Sequence, residues 1–485
     1  MTLYSTIRHL TFLLVAIVAS LTFFPVVDAQ PPPEPPCDGG VLQLKIVDTS
    51  IVESTNAACL DGSPPAYYVV VRNPSPTASW IISLEGGAWC WQLEEDPTNG
   101  MASCPDRATT YLGTSKNIPL NTTTACEGGI LAPNATTNPI FSNFNIALVH
   151  YCDGSFFSSS NPTPVPNPSS PGQFLYFRGR PNLQAVLADL IASYNLGSAT
   201  EVVLHGASAG AQGVYFQADW IRGEVLSPNR FPGMMITAIP DSGFFLDAPD
   251  FATGTHQYRG RLSTANPLWQ ALENGTLDSG CIMANPGPEA NNCYFPQYSA
   301  PLIFTPLFVI NSAVDAEQMF DDLQVGCCPF VNCSRIGPHT GPPCNATQLS
   351  AVLAYGQEFF ASFSPTIQGR PGVGAFIPSC YHHVIGCNDP SWLNYSIPNS
   401  SGDRITMVDA VAQWYTQVRT VFAAQSLPRQ LQTQPMSIEI EEAWYRDLPL
   451  SSEFSEFTSV QLLDLTEVFP SNPSCPYPGP PFPPV

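Results

Sequence analysis

Basic residues are scarce in this chain of 485 residues: 17 lysines and arginines stand against 39 aspartates and glutamates, for a formal net charge of −22. That deficit excludes nucleic acid and anionic membrane surfaces as partners, because both demand a basic face to neutralise phosphates. It also opposes a polyanionic substrate unless a local basic strip intervenes, and Arg178, Arg180 and Arg370 are the candidates for one. After the first thirty residues no segment is long and apolar enough to span a bilayer. The paired C-x-x-C spacings that structural zinc favours are missing, so neither a metal nor another cofactor is expected. Internal repeats are absent, and the C-terminus lacks the apolar end of a lipid-anchor signal.

What is present points to export. Residues 1–29 combine Arg8, an apolar run from Leu10 to about Val27 and the small-residue pattern Val27-Asp28-Ala29, which predicts a cleaved signal peptide rather than a retained anchor. Residues 30–44 open with a Pro-rich spacer. Fifteen cysteines, many beside turn-like stretches, suit an oxidising compartment, and their odd number leaves at least one unpaired within the chain or paired to another chain. Asn-x-Ser/Thr acceptors occur at Asn121, Asn134, Asn274, Asn332, Asn345, Asn394 and Asn399, as in a glycosylated extracellular or cell-wall protein. A monomer is expected.

Short apolar runs recur at 67–71, 80–87, 144–152, 201–206, 234–243 and 306–315. Between several of them lie helical patterns, as over 183–197, where Leu183, Val186, Leu187, Leu190 and Ile191 share one face and Gly197 offers a stop. Strands alternating with helices predict an α/β fold with a mainly parallel, doubly wound sheet over 45–435, carrying long cysteine-bearing loops. The Ser- and Pro-rich stretch 154–175 is expected to be an exposed loop, and 436–485 an acidic, Pro-rich tail held through Cys475.

One corner carries chemistry. In "EVVLHGASAGAQG" (201–213) a strand-like run meets Gly206-Ala207-Ser208-Ala209-Gly210 and then a helix-capable segment. A serine hydroxyl attacks only when an imidazole takes its proton and donors receive the oxyanion. The G-x-S-x-G corner needs small neighbours because strand and helix backbones nearly touch there. Ala209 would give one oxyanion donor, and the turn in "LEGGAW" (84–89) gives Gly87 and Ala88 as the others. Of the seven histidines, His9 falls in the signal segment, His150 and His205 lie inside strands, and His256 and His339 sit in irregular polar stretches. That leaves His382 and His383. An acid between them and Ser208, at a strand's carboxyl end, is met by Asp315 and by Asp241; Asp315 fits better, leaving Asp241 to order the core of the site.

These residues carry a family resemblance. "CLDGSPPAY" (59–67), "LEGGAWC" (84–90), "NFNIALVHYCDGSFF" (143–157), "HGASAGAQG" (205–213), "PDSGFFLD" (240–247) and "FIPSCYHHVI" (376–385) resemble, in order, the pectin acetylesterases, a family that includes the Notum carboxylesterases. The resemblance implies an α/β-hydrolase fold and a metal-free serine esterase. It puts the nucleophile on Ser208, the acid on Asp315 and the base on His383, three positions after Cys380. Departures are Ala88, where plant-type members carry a third glycine, Ala211, where they carry a second, and His382, where a small residue is usual. Three functions follow in order: removal of O-acetyl groups from a wall polysaccharide such as pectin, a Notum-like lipid deacylase, and a catalytically silent glycan-binding wall protein. Phe244, Phe245 and Trp91 are candidates for the acyl pocket, and activity should fall below about pH 6 as the imidazole protonates.

Overall fold

A computed structural model describes residues 41–94, 102–122, 128–327, 329, 342–387, 389–425, 460–464 and 472–475. The chain divides into Met1–Pro36 and Cys37–Val485, and everything described belongs to the second unit. The expected signal segment, most of the spacer and most of the tail lie outside the described residues, as do Asn332 and His339.

The sheet strands are β1 (Leu42–Ile46), β2 (Ala66–Val70), β3 (Trp80–Leu84), β4 (Asn121–Thr122) and β5 (Asn145–Val149), then β6 (Glu201–Ala207), β7 (Met235–Asp241), β8 (Leu307–Ile310), β9 (Val373–Ile377) and β10 (Gln461–Leu463). Their order across the sheet is β10-β9-β8-β7-β6-β3-β5-β2-β1-β4. From β10 to β5 every pairing is parallel, and only the β2, β1 and β4 edge is antiparallel. Parallel strands are buried on both faces, which is why they read as continuous apolar runs rather than alternating ones.

Alternate residues of each strand feed two cores. Ile82, Leu84, Val202 and Leu204 pack on one face with helices α1 (Gly179–Tyr194), α2 (Ala209–Trp220) and α4 (Ala346–Ile367), while Ile81 and Val203 pack on the other with α5 (Met407–Gln425). Helix α3 (Gln257–Trp269) lies in the long excursion between β7 and β8. Each fully buried Leu, Ile or Val in these layers contributes about 1.5–3 kcal/mol against exposure. Helix α1 stops at Asn195, left-handed at φ 57°, two residues before the expected Gly197, because asparagine also tolerates that conformation.

Two expectations need correcting. The stretch 154–175 is not wholly exposed: Phe156 and Phe157 are buried, both left-handed at φ 57°, with Phe156 against Trp89 and Trp269 and Phe157 against Tyr151. The serines around them stay buried by bonding one another and Asp153, as in Ser155 Oγ to Ser159 Oγ at 2.6 Å. Nor do the arginines form a strip. Arg178 donates to Asn56 and Pro162, Arg180 to the Thr276 carbonyl, and Arg370 to the carbonyls of Ala300, Ile303 and Thr366. Backbone carbonyls and the Asn56 side chain engage these guanidinium groups.

Five disulfides close loops among the described residues: Cys59–Cys152, Cys90–Cys104, Cys281–Cys293, Cys327–Cys344 and Cys380–Cys475. The last draws a piece of the expected tail onto the body, where β10 also pairs with β9.

Candidate active site

Ser208 stands at the junction of β6 and α2 with φ 56° and ψ −121°, a backbone region that costs a non-glycine residue about 1–3 kcal/mol. The small residues around it are a steric necessity. A Cβ on Gly210 would sit 2.1 Å from the Leu84 carbonyl oxygen, one on Gly206 2.4 Å from that of Gly210, and one on Gly243 2.5 Å from Ala211 Cβ. Strand β6, helix α2 and the end of β3 therefore meet at backbone distance, and Ser208 is pushed out partly exposed while Ala209 behind it is buried.

The glycine turn abuts this corner. A Cβ on Gly86 would lie 2.7 Å from the Ala207 oxygen and 3.1 Å from Ser208 Cβ. Gly87 follows at φ 137° and Ala88 at φ 51°. The turn is buttressed from behind: Tyr151 Oη donates to the Ala88 carbonyl at 3.0 Å, and the Cys90–Cys104 disulfide fixes its exit. Tyr151 was not a candidate from the sequence, although it directly follows a legible strand.

Asp315 and His383 arrive from the ends of β8 and β9. Asp315 is fully buried; its Oδ1 accepts from the amides of Glu317 (3.0 Å) and Gln318 (3.1 Å), and its Oδ2 pairs with His383 Nδ1 at 2.9 Å. The amides hold the carboxylate so that one oxygen is left to fix the imidazole tautomer. His382 turns elsewhere and bonds Tyr395 Oη through Nδ1 at 2.6 Å. Phe245 stacks on His383, with centroids 6.1 Å apart and planes 24° apart. Phe244 instead points into the core against Phe359 and Phe363, and Trp91 packs on Trp89 beneath the Arg261 guanidinium.

Asp241 joins the two halves. Its carbonyl accepts from Ser208 N (2.9 Å), and its buried carboxylate accepts from the amides of Ile385 (3.2 Å) and Gly386 (2.8 Å), two and three residues past His383. One residue therefore ties the serine corner and the histidine loop to the end of β7. That is the ordering role expected of it.

Burial disfavours the His383 imidazolium, but the Asp315 carboxylate outweighs it, aided by Glu317 and Asp241, so the group titrates above its usual 6.5. Burial and the charge of His383 push His382 down to about 4. A base must be neutral to accept a proton, so a raised pKa moves the acid limb upward. The limb should therefore lie above pH 6.5 rather than near 6, read as kcat/KM for a soluble acetate ester from pH 4 to 9. A half-maximum below 6 would contradict the Asp315 pairing.

Fold and corner together define the class: a carboxylic ester hydrolase of the α/β-hydrolase fold. The pectinacetylesterase family model matches residues 40–445, and the chain belongs to that family. It is 30% identical over 387 residues to pectin acetylesterase 7 of Arabidopsis thaliana, covering 77% of this chain and 90% of the relative. It is 28% identical over 372 residues to the palmitoleoyl-protein carboxylesterase NOTUM of Drosophila melanogaster, covering 76% of this chain and 48% of the relative. The structure of the Wnt deacylase Notum from Drosophila superposes with TM-score 0.62 and 26% identity over 78% of this chain and 94% of that one.

Proposed function

We propose that the chain is a secreted O-acetyl esterase of cell-wall polysaccharide that acts through Ser208, His383 and Asp315. The observation that carries the catalytic reading is the 2.9 Å pair between buried Asp315 and His383, which follow β8 and β9, two and three places across the sheet from the β6 strand that leads to Ser208. Ser208 Oγ attacks the ester carbonyl as His383 Nε2 takes its proton, and the amides of Gly87, Ala88 and Ala209 receive the oxyanion. The proton then passes to the leaving sugar hydroxyl, and water repeats the cycle to release acetate. Asp315 orients the imidazole throughout.

Acetate is favoured by the kinship with pectin acetylesterases and by packing beside the base. Buried Phe245, Tyr258 and Trp89 interlock there at centroid distances of 6.3 and 5.5 Å, filling space a long acyl chain would need. Export is supported by the signal-like residues 1–29 and by exposed acceptors at Asn121, Asn134, Asn274, Asn345 and Asn394. No helix among the described residues is long and apolar enough to cross a membrane. The catalytic body spans 45–435, and the chain works as a monomer. The likeness to Notum favours a second reading, lipid deacylation.

A panel separates the two. Acetate release from acetylated pectin and a neutral acetylated glycan should exceed release from octanoyl and palmitoleoyl esters by at least a hundredfold in kcat/KM. Equal or faster release of the long chains would replace the first reading by the second.

A further inference from the structure

Sequence position alone puts His150 inside a strand, but it follows β5 by one residue and is buried. Its two ring nitrogens face a carboxylate and a carbonyl. Nδ1 lies 2.9 Å from Glu85 Oε2, which also accepts from the Tyr151 amide at 3.1 Å, and Nε2 lies 3.0 Å from the Thr114 carbonyl oxygen. Two acceptors call for two ring protons, so the geometry defines a buried imidazolium paired with Glu85. Glu85 directly precedes Gly86, which abuts Ala207 and Ser208, and its own amide donates to the Val149 carbonyl at 3.2 Å. The end of β5 thus grips the start of the glycine turn by backbone and by side chain, while Tyr151 holds its far end through the Ala88 carbonyl.

We propose that the His150 imidazolium is a positioning residue for ester hydrolysis: through Glu85 it holds the Gly87–Ala88 turn in the shape that receives the oxyanion, and turnover weakens when it gives up a proton. This rests on the oxyanion role assigned above to Gly87 and Ala88. Ala88 keeps φ 51°, a left-handed conformation that a non-glycine residue holds only when its surroundings impose it. Oxyanion donors contribute most when they need not reorganise at the moment of reaction. Release of a ring proton to solvent leaves one nitrogen with its lone pair aimed at an oxygen, so either the Glu85 or the Thr114 contact turns repulsive. The charged and titratable groups around the ring are Glu85, Tyr68 across β2 beside Glu85, Tyr111 with its ring 6.5 Å away, and the Asp61–Lys116 pair behind Thr114. Burial disfavours the imidazolium, but Glu85 outweighs it, aided by the carbonyls of Thr114 and Tyr111, so the group titrates above its usual 6.5. The clamp is therefore complete at low pH and is lost as pH rises through that raised value. His383 must be neutral and His150 charged, which makes the profile bell-shaped, with His150 setting the alkaline limb.

The test pairs a titration with kinetics on the full-length protein. Proton NMR of the histidine ring C–H signals from pH 5 to 9 should show one that titrates above 6.5, moves to lower pH in Glu85→Gln and disappears in His150→Asn. In kinetics with a soluble acetate ester, Glu85→Gln should shift the alkaline limb to lower pH by half a unit or more. His150→Gln, whose amide reaches the place of Nε2 and leaves Glu85 without its donor, should lose at least tenfold in kcat with KM within about threefold. His150→Asn keeps a donor near Nδ1 and should lose less, but its alkaline limb should vanish. Thermal midpoints check that each variant folds. A role confined to structure would lower those midpoints and leave kcat and the alkaline limb of the folded protein as in wild type, which overturns the proposal. A His150 ring already neutral at pH 6.5 overturns it without any kinetic variant. Failure of the hydrolytic reading would show separately, as activity in Ser208→Ala with the His150 titration unchanged.

Discussion

Replacing Ser208 by alanine is expected to lower kcat/KM for a soluble acetate ester by about ten-thousandfold to a millionfold, with folding unchanged. Each factor of ten corresponds to about 1.4 kcal/mol of lost transition-state stabilisation, so the upper figure asks about 8 kcal/mol of one oxygen atom. That is the scale for a group that forms and breaks a covalent bond, not for one that merely positions. Residual turnover from the oxyanion donors sets the floor. The companion variant is Ser208→Gly. Alanine inherits the unfavourable φ of 56°, whereas glycine adopts it freely, so Ser208→Gly should be equally inactive yet raise the thermal midpoint. A serine kept only for structure would behave in the opposite way. Activity above a few per cent in either variant would sink the assignment.

The adjacent histidines give the second large contrast. His383→Ala should cost about ten-thousandfold in kcat, because it removes the only imidazole paired with Asp315 among the described residues. His382→Ala should keep activity within about tenfold, while the lost bond to Tyr395 costs about 1–3 kcal/mol of stability. The readouts are kcat at pH 8 and the urea midpoint of each variant. If the two effects on kcat were equal, or reversed, the base would be misassigned.

The parallel sheet was legible because buried strands are apolar throughout, and runs such as "EVVLHG" cannot be mistaken for surface. The Ser208 corner was legible because backbone contact leaves room only for glycine and alanine. Choosing between His382 and His383 was not possible from spacing alone. Neighbouring side chains diverge, and Val384 at φ 56° turns the chain just after them, a conformation that β-branched residues rarely adopt. The grip of Asp241 on the loop also escaped, since its partners at Ile385 and Gly386 are backbone amides without a sequence signature. Phe156 and Phe157 were lost in a Ser- and Pro-rich window whose average polarity hides two buried rings. The arginine strip failed for a related reason: charge can be counted along a chain, but its engagement by backbone carbonyls depends on tertiary approach.

The Cys380–Cys475 bridge spans 95 residues and sits three positions before His383. Beside it Asp464, just after β10, accepts from the amide and hydroxyl of Ser379. The loop that carries His383 is thus completed by residues the ribosome supplies long after Ser208, Asp315 and His383. During synthesis a chain with all three in place would still lack Asp464 and Cys475, the two contacts that hold the strand end before His383. On the proposed site, activity would therefore require translation through Cys475 and closure of its bridge to Cys380.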